Sequence, residues 1–217
     1  MGPLTKLARE HQVLLSGSLL AVPIQERATA ARYFAHHGHW VHADVIEGSF
    51  RGQPGLSLTE LEQLAPVAQV LDIHLMVDCP IATMRNLPVT PRRLTVQMQS
   101  LAGAAEVMNL GRDIAGEFWI AIEGLRSRDL ETLKELNPDG VLVMLTPPGS
   151  AGHVADLERL NTVRAVDTAH FSAGADGGIT PANLHTAASA GVRYAVSGRA
   201  FFHELSQEMP HVGRITA

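Results

Sequence analysis

Short apolar runs alternate with longer amphipathic stretches along the whole chain. The short runs are rich in aliphatic and β-branched residues, which predicts strands, and the stretches between them have the spacing of helices. Strands are predicted over 13–20, 40–46, 70–77, 93–98, 118–122, 140–145, 169–173 and 193–197. Helices are predicted over 24–37, 58–69, 80–86, 102–110, 129–136 and 153–163, from 181 onward, and over 200–206.

Three helix starts carry local signals. Ser57 is followed three residues later by Glu60, the spacing of a capping box, so we expect a helix to begin at 58. Ser127 is placed to cap the helix at 129–136. Pro181 suits the first position of a helix, where its missing N–H costs nothing.

Eight strand–helix units can form a closed barrel or a doubly wound open sheet. An open sheet that binds a dinucleotide would need a G-x-G-x-x-G turn after its first strand. This chain has Ala21-Val22-Pro23 there instead. The number and even spacing of the units therefore predict an α/β fold, a (β/α)8 TIM barrel, as a single domain over residues 1–217.

Composition excludes several classes of partner. The chain is 46% hydrophobic and 18% charged with a net charge of −5, which is typical of a globular protein. No apolar run approaches the ~18 residues of a membrane span, and no block of Lys and Arg predicts nucleic-acid binding. The single cysteine, Cys79, and the absence of a secretory signal favour a cytoplasmic protein. We expect a small-molecule ligand.

Four polar side chains fall at the carboxyl ends of predicted strands, where barrel enzymes keep their active sites. Alternation places His42 and Asp44 on one face of their strand, His74 lies on the next strand, and Asp176 follows the predicted seventh strand. Two histidines and two carboxylates suit Zn²⁺, Mn²⁺ or Fe²⁺. Spacing alone leaves open a structural role for each histidine and a turn role for each aspartate.

Glycines cluster at the ends of the last three predicted strands. Gly149 and Gly152 lie in the loop after the sixth strand, and the others flank the next two. Loops after strands seven and eight form the usual phosphate site of barrels, because their backbone N–H groups can approach the anion closely. The alternative is that they are ordinary turn glycines. The candidates on these two strands are Gly177, Gly178, Gly198 and the neighbouring Arg199.

Several segments, in the same order, resemble the ribulose-phosphate 3-epimerase family. Residues 17–23 look like its P-S-I-L-S-A-D, 42–50 like its H-V-D-V-M-D-G-x-F, and 72–77 like its D-V-H-L-M-V. Residues 144–153 are similar to its M-S-V-N-P-G-F-G-G-Q, and 176–179 and 198–202 to its D-G-G-V and G-S-A-[IV]-F. The resemblance implies a metal-dependent isomerase that inverts C3 of a ketose phosphate and commonly self-associates.

The resemblance also implies roles for particular residues. One divalent metal per subunit, Zn²⁺ first, with Fe²⁺, Mn²⁺ or Co²⁺ as alternatives, is bound by the four residues above. Asp44 and Asp176 form the acid–base pair, acting through a cis-enediolate. The expected substrate contacts are Ser18, His74, Met76, Met144 and the glycines and Arg199 of the phosphate site.

The chain departs from the family pattern around the expected pocket. Ile46 and Glu47 replace Met and Asp, Gln97 replaces a histidine, and Arg199 replaces a serine. We therefore expect D-ribulose 5-phosphate (with D-xylulose 5-phosphate) or a related ketose phosphate such as D-allulose 6-phosphate as the substrate.

Two other functions are compatible with a barrel. One is a non-catalytic, sugar-phosphate-binding descendant of the family, which the preserved ligands disfavour. The other is a Schiff-base aldolase or a sugar-phosphate decarboxylase, which needs a lysine at a strand end. The only lysines are Lys6, before the first strand, and Lys134, within a predicted helix.

Overall fold

Eight parallel strands close into a barrel in the computed structural model, which describes residues 2–50, 52–150 and 152–206. Each strand pairs with the next along the chain, and the last pairs with the first. This confirms the predicted (β/α)8 barrel. The strands are β1 Leu14–Ser18, β2 Trp40–Ile46, β3 Leu71–Met76, β4 Arg93–Gln97, β5 Glu117–Ile122, β6 Gly140–Met144, β7 Ala173–Asp176 and β8 Tyr194–Ser197.

Helices surround the barrel. The α-helices are α1 Pro3–Glu10, α2 Arg27–His36, α3 Leu58–Glu62, α4 Pro80–Arg85, α5 Ala104–Ile114, α6 Asp129–Leu136, α7 Leu160–Thr168, α8 Leu184–Ser189 and α9 Arg199–Ser206. Short 3₁₀ turns cover Leu19–Ala21, Ile24–Glu26, Ala65–Val70, Met98–Ser100 and Leu157–Arg159. Within the described residues, no helix combines the length and apolar character needed to cross a bilayer.

Two apolar layers follow from the alternation of side chains along each strand. Outward-facing residues pack against the helices and form the larger core. Inward-facing residues fill the barrel, and the apolar ones among them are Trp119, Ala121, Leu142, Met144, Tyr194 and Val196. The polar residues at the mouth occupy the same inward positions, so the barrel interior supports them from below.

The amino-terminal end of the barrel is filled by Arg93 and three aromatic rings. The guanidinium carbon of Arg93 lies 3.8 Å from the ring centre of Trp119, 4.2 Å from that of Tyr194 and 4.5 Å from that of Trp40. Glu117 accepts from Arg93 Nη2 at 2.8 Å. Cation–π contacts and an ion pair therefore stabilise the amino-terminal end of the barrel.

The seventh strand is shifted from its predicted place. It was expected at 169–173 and lies at Ala173–Asp176. The helix before it, expected at 153–163, lies at Leu160–Thr168, because its buried side chains Leu160, Val163 and Val166 continue a helical spacing beyond 163. A turn with a positive φ of 67° at His170 then separates the helix from the strand.

Helix starts were predicted with mixed success. The Ser57–Glu60 capping box is confirmed, but the helix stops at Glu62, and a 3₁₀ turn containing Pro66 follows. Ser127 does not cap α6, because the N-cap residue is Arg128, which makes no side-chain capping bond. The Asp129 carboxylate accepts from Arg126 N at 2.7 Å just before the helix.

Pro181 does not open α8 either. The helix begins at Leu184, and Asn183 Oδ1 accepts from Thr180 N at 2.9 Å in the preceding turn. Helix α1 lies outside all predicted elements. Its first N–H groups, those of Leu4 and Thr5, donate to Glu204 of α9 at 2.7 and 3.1 Å.

Candidate metal centre at the barrel mouth

The four predicted ligands come from three strands that end at the same face of the barrel. The register pairs Asp44 of β2 with His74 of β3, so their side chains are neighbours across the sheet. His42 lies two residues before Asp44 on the same inward face, and Asp176 is the last residue of β7. Parallel strands thus place all four side chains at one end of the barrel.

The nitrogen and oxygen atoms of these side chains converge on one point. His42 Nε2 is 3.0 Å from Asp44 Oδ1, and His74 Nδ1 is 3.4 Å from the same oxygen. Asp176 Oδ2 lies 3.8 Å from each of these two nitrogens. All four candidate ligand atoms lie within 4.8 Å of one another, so one ion could contact them all.

The chemistry of the cluster fits a divalent cation. Both histidines are completely buried, and the side chains of Asp44 and Asp176 are 4% and 13% exposed. His74 Nδ1 has no hydrogen-bond partner among the described residues although it is buried and faces two carboxylates. A cation would use that nitrogen, and an N₂O₂ donor set suits Zn²⁺, Mn²⁺ or Fe²⁺.

Crowded charges shift the pKa values of the cluster. Burial and the Asp44 carboxylate raise the pKa of Asp176 to about 6, although His42 and His74 oppose this. Burial disfavours a charge on Asp44, but His42 and His74 outweigh it and hold its pKa well below the usual range. His42 shows the reverse: burial lowers its pKa, and Asp44 and Asp72 raise it well above 6.5. A divalent cation would relieve the repulsion that raises the pKa of Asp176.

Asp72 supports the cluster from below. Its carboxylate accepts from His42 Nδ1 at 3.1 Å, from Thr95 Oγ1 at 3.1 Å and from the Tyr194 hydroxyl at 2.7 Å. Burial alone would raise the pKa of Asp72, but the hydrogen bond and charge of His42 lower it. A carboxylate behind a histidine fixes which ring nitrogen faces the metal.

The supporting group was not singled out from the sequence. One signal was available, because alternation along β3 places Asp72 on the same inward face as His74 and Met76. The contribution of Thr95 depends on the pairing of β4 with β3, and that of Tyr194 depends on the closure of the barrel, which brings β8 across from β3. Neither can be seen in the local sequence.

A cavity of about 970 Å³ opens above the cluster. Ser18 Oγ donates to Asp44 Oδ2 at 3.4 Å on its floor, and Met76 Sδ accepts from Gly149 N at 3.1 Å. His74 is completely buried below the floor and is not a lining residue, so its expected direct contact with substrate has no support. The predicted residues that line the cavity are Ser18, Asp44, Met76, Met144, Gly149, Gly152, Asp176, Gly177, Gly178, Gly198 and Arg199.

One end of this cavity is built from glycine backbone. Gly177 has a φ of +104°, and a Cβ there would lie 2.2 Å from Thr146 Oγ1. Gly178 has a φ of +65°, and its Cβ would lie 2.5 Å from Ala155 N. Side chains are therefore excluded at both positions, which leaves the backbone open to a ligand.

The guanidinium group of Arg199 lies at the same end of the cavity. Arg199 is the first residue of α9 and is exposed, with its guanidinium 3.7–3.9 Å from where a Cβ of Gly152 would be. A helix N-terminus, glycine backbone and a guanidinium together are suited to bind a phosphate.

The lysines lie elsewhere. Lys6 is on α1, where it is 3.9 Å from Glu10 of the same helix, and Lys134 is exposed on α6. Neither lines the cavity. The structure therefore gives no support to Schiff-base chemistry.

Comparison with known proteins identifies the protein family. The family described as "Ribulose-phosphate 3 epimerase family" matches residues 14–202. Ribulose-phosphate 3-epimerase from Treponema pallidum (strain Nichols) is 30% identical over 213 residues, covering 89% of this chain and 93% of that protein. The enzyme of the same name from Mycobacterium bovis is 30% identical over 200 residues, covering 87% and 86%.

Solved structures agree on the architecture. 3-Keto-L-gulonate-6-phosphate decarboxylase from Vibrio cholerae superimposes with a TM-score of 0.65 at 13% identity, covering 93% of this chain and 99% of that one. KGPDC from Streptococcus mutans gives 0.62 at 14% identity, covering 90% and 98%. At such identities the likeness extends to the fold alone.

Proposed function

The chain belongs to the ribulose-phosphate 3-epimerase family, and from this membership we propose that it interconverts the C3 epimers of a ketose phosphate with one divalent cation per subunit. It is thus an isomerase of the carbohydrate-epimerase class. The observation that carries the proposal is the convergence of His42, Asp44, His74 and Asp176 on one point at the floor of the cavity.

The two carboxylates are the proposed acid and base. Asp44 and Asp176 come from β2 and β7, so they approach the cavity floor from different sides. One removes the C3 proton of the ketose, and the other returns a proton to the opposite face, which inverts the centre. Fixed strands and buried histidines hold both groups in place. When bound, the cation supplies a Lewis acid that stabilises the negative charge of the enediolate.

The glycine-rich end is the proposed phosphate site. Gly177, Gly178 and Gly198 offer backbone, and Arg199 adds a charge that can form two hydrogen bonds to a phosphate. A substrate whose phosphate is held there extends along the cavity toward the four metal ligands. Ser18 is placed to contact the substrate and Asp44, and Met76 and Met144 line the same cavity.

D-ribulose 5-phosphate and D-xylulose 5-phosphate are the proposed pair of substrates. A D-allulose 6-phosphate-type reaction is the second candidate, because a cavity of about 970 Å³ leaves room for a six-carbon ketose phosphate. The position of Arg199 favours a phosphorylated substrate in either case. A non-catalytic binding role is less well supported, since all four candidate ligands are present and converge.

A substrate panel tests the proposal. The protein is loaded in turn with Zn²⁺, Fe²⁺, Mn²⁺ or Co²⁺ and incubated with ketose 5- and 6-phosphates, and NMR follows the appearance of the C3 epimer. We expect conversion with at least one cation and one phosphorylated ketose, and none after chelation. Binding of these sugars without conversion under any cation would refute the epimerase and support the non-catalytic alternative.

Two further properties stay predictions. We expect self-association, which sedimentation or light scattering would measure, and a cytoplasmic location. Neither carries any step of the proposed reaction.

A further inference from the structure

Gln97 lies directly behind a proposed metal ligand, and its amide has an unusual environment. The side chain projects from β4 into the barrel and is completely buried. Its Nε2 lies 3.0 Å from His74 Nε2, and its Oε1 has no hydrogen-bond partner among the described residues. Among the described residues, two buried atoms of this one pair, His74 Nδ1 and Gln97 Oε1, thus lack a hydrogen-bond partner.

The position of His74 decides which of its nitrogens can bind a cation. Nδ1 lies 3.4 Å from Asp44 Oδ1 and 3.8 Å from Asp176 Oδ2, whereas Nε2 points away toward Gln97. A neutral imidazole carries one proton, and the nitrogen that binds a metal must be bare. With a cation present, the proton of His74 therefore sits on Nε2.

That proton needs an acceptor, and Gln97 is the group in reach. An amide nitrogen cannot accept, so the amide must turn by about 180° to place Oε1 opposite His74 Nε2–H. In the observed orientation Oε1 is the end of the amide that lacks a hydrogen-bond partner among the described residues. Which ring nitrogen of His74 faces the cation therefore decides which orientation of the Gln97 amide is stable.

We propose that Gln97 is a positioning residue for the metal centre: its Oε1 accepts from His74 Nε2–H and thereby presents the bare Nδ1 to the cation. The inference rests on the metal site of the proposed function. The two histidines then have different supports, since His42 is backed by the Asp72 carboxylate and His74 by a neutral amide. Outer partners of this kind typically change metal affinity by ~10–100-fold.

Metal affinity measures this role without an activity assay. Chelator competition gives the Kd for Zn²⁺ of the wild type, Gln97→Met and Gln97→Glu, with Gln99→Met as the control on the exposed side of the same segment. We expect Gln97→Met to weaken binding by ~10–100-fold, because it fills the space but accepts no hydrogen bond. Gln97→Glu keeps an acceptor and should bind at least as tightly as the wild type, and Gln99→Met should be unchanged. Equal affinity of Gln97→Met and the wild type would overturn the proposal.

A second readout needs no variant at position 97. In ¹⁵N-histidine-labelled, Zn²⁺-loaded protein, we expect His74 to show a slowly exchanging Nε2–H proton and an unprotonated Nδ1. A proton on Nδ1 would overturn the inference even if the variants fail to fold.

Deuterium exchange at C3, measured on the same samples, separates this inference from the proposed function. Weakened metal binding in Gln97→Met, together with no exchange in the wild type, would leave Gln97 as a positioning residue and reject the epimerase. Exchange in the wild type, together with unchanged metal affinity in Gln97→Met, would support the epimerase and reject the positioning role of Gln97.

Discussion

Removing the hydroxyl of Tyr194 tests the support beneath the metal centre. Tyr194→Phe keeps the ring against Arg93 and Trp119 but deletes the 2.7 Å hydrogen bond to Asp72. Tyr194 is 1% exposed and Asp72 is completely buried, so water cannot replace the hydroxyl without rearrangement. A hydrogen bond to a charged group contributes about 1.5–3 kcal/mol. Because Asp72 keeps two other donors, we expect Tyr194→Phe to lower the free energy of unfolding by an amount in the lower half of that range.

Urea unfolding of the metal-free protein is the assay, because bound metal would add its own stabilisation. The matched control is Ser197→Ala, on the same strand and equally buried, whose hydroxyl donates to the neutral carbonyl of Ile179 at 2.8 Å. It should lose only about 0.5–1.5 kcal/mol. If Tyr194→Phe costs no more than Ser197→Ala, Asp72 is not held as an ionised carboxylate by this hydroxyl and the reasoning fails.

Three further predictions concern other parts of the chain. Burial raises the pKa of Glu60, but hydrogen bonds of Ser57, with help from Arg27, outweigh it and lower that pKa, so the stabilisation by Glu60 is present above pH ~4.3 and is lost as pH falls through the lowered value. In urea titrations, Glu60→Gln should therefore destabilise the protein at pH 7 and progressively less as the pH is lowered, unlike the exposed Glu62→Gln. Gly140→Ala places a Cβ 2.4 Å from the Trp119 ring and should cost about 1–3 kcal/mol in the same assay, whereas Gly124→Ala, which meets open space, should change stability by less than about 0.5 kcal/mol; equal effects would contradict the packing. Arg199→Gln should raise KM for the phosphorylated ketose at least ~10-fold with a smaller change in kcat; an unchanged KM would remove Arg199 from the phosphate site.

Sequence predicted best where strands are regular and side chains alternate. β2 and β3 carry aliphatic residues outside and His42, Asp44 and His74 inside, so both their bounds and their inward faces could be predicted. β7 was misplaced because its residues, Ala-Gly-Ala-Asp, include no β-branched side chain. It is a strand because its neighbours in the barrel provide hydrogen bonds, and that is tertiary information.

The cluster of four candidate ligands could be predicted, but most of the groups that support it could not. The four ligands stand at strand ends, a place that the fold alone makes functional. The hydrogen bond of Thr95 to Asp72 needs β4 to pair with β3, and that of Tyr194 needs β8 to lie across the closed barrel from β3. Gln97 was visible as a departure from the family pattern, yet its role depends on a 3.0 Å contact with one particular ring nitrogen.

Solvent deuterium incorporation at C3 tests the central claim most directly. The metal-loaded wild type, Asp44→Asn and Asp176→Asn are each incubated in D₂O with a ketose phosphate that the wild type converts, and the label is located by NMR. The account predicts deuterium at C3 with the wild type and its loss in both variants, because each carboxylate serves as metal ligand and as proton carrier. Retained incorporation in both variants would contradict it.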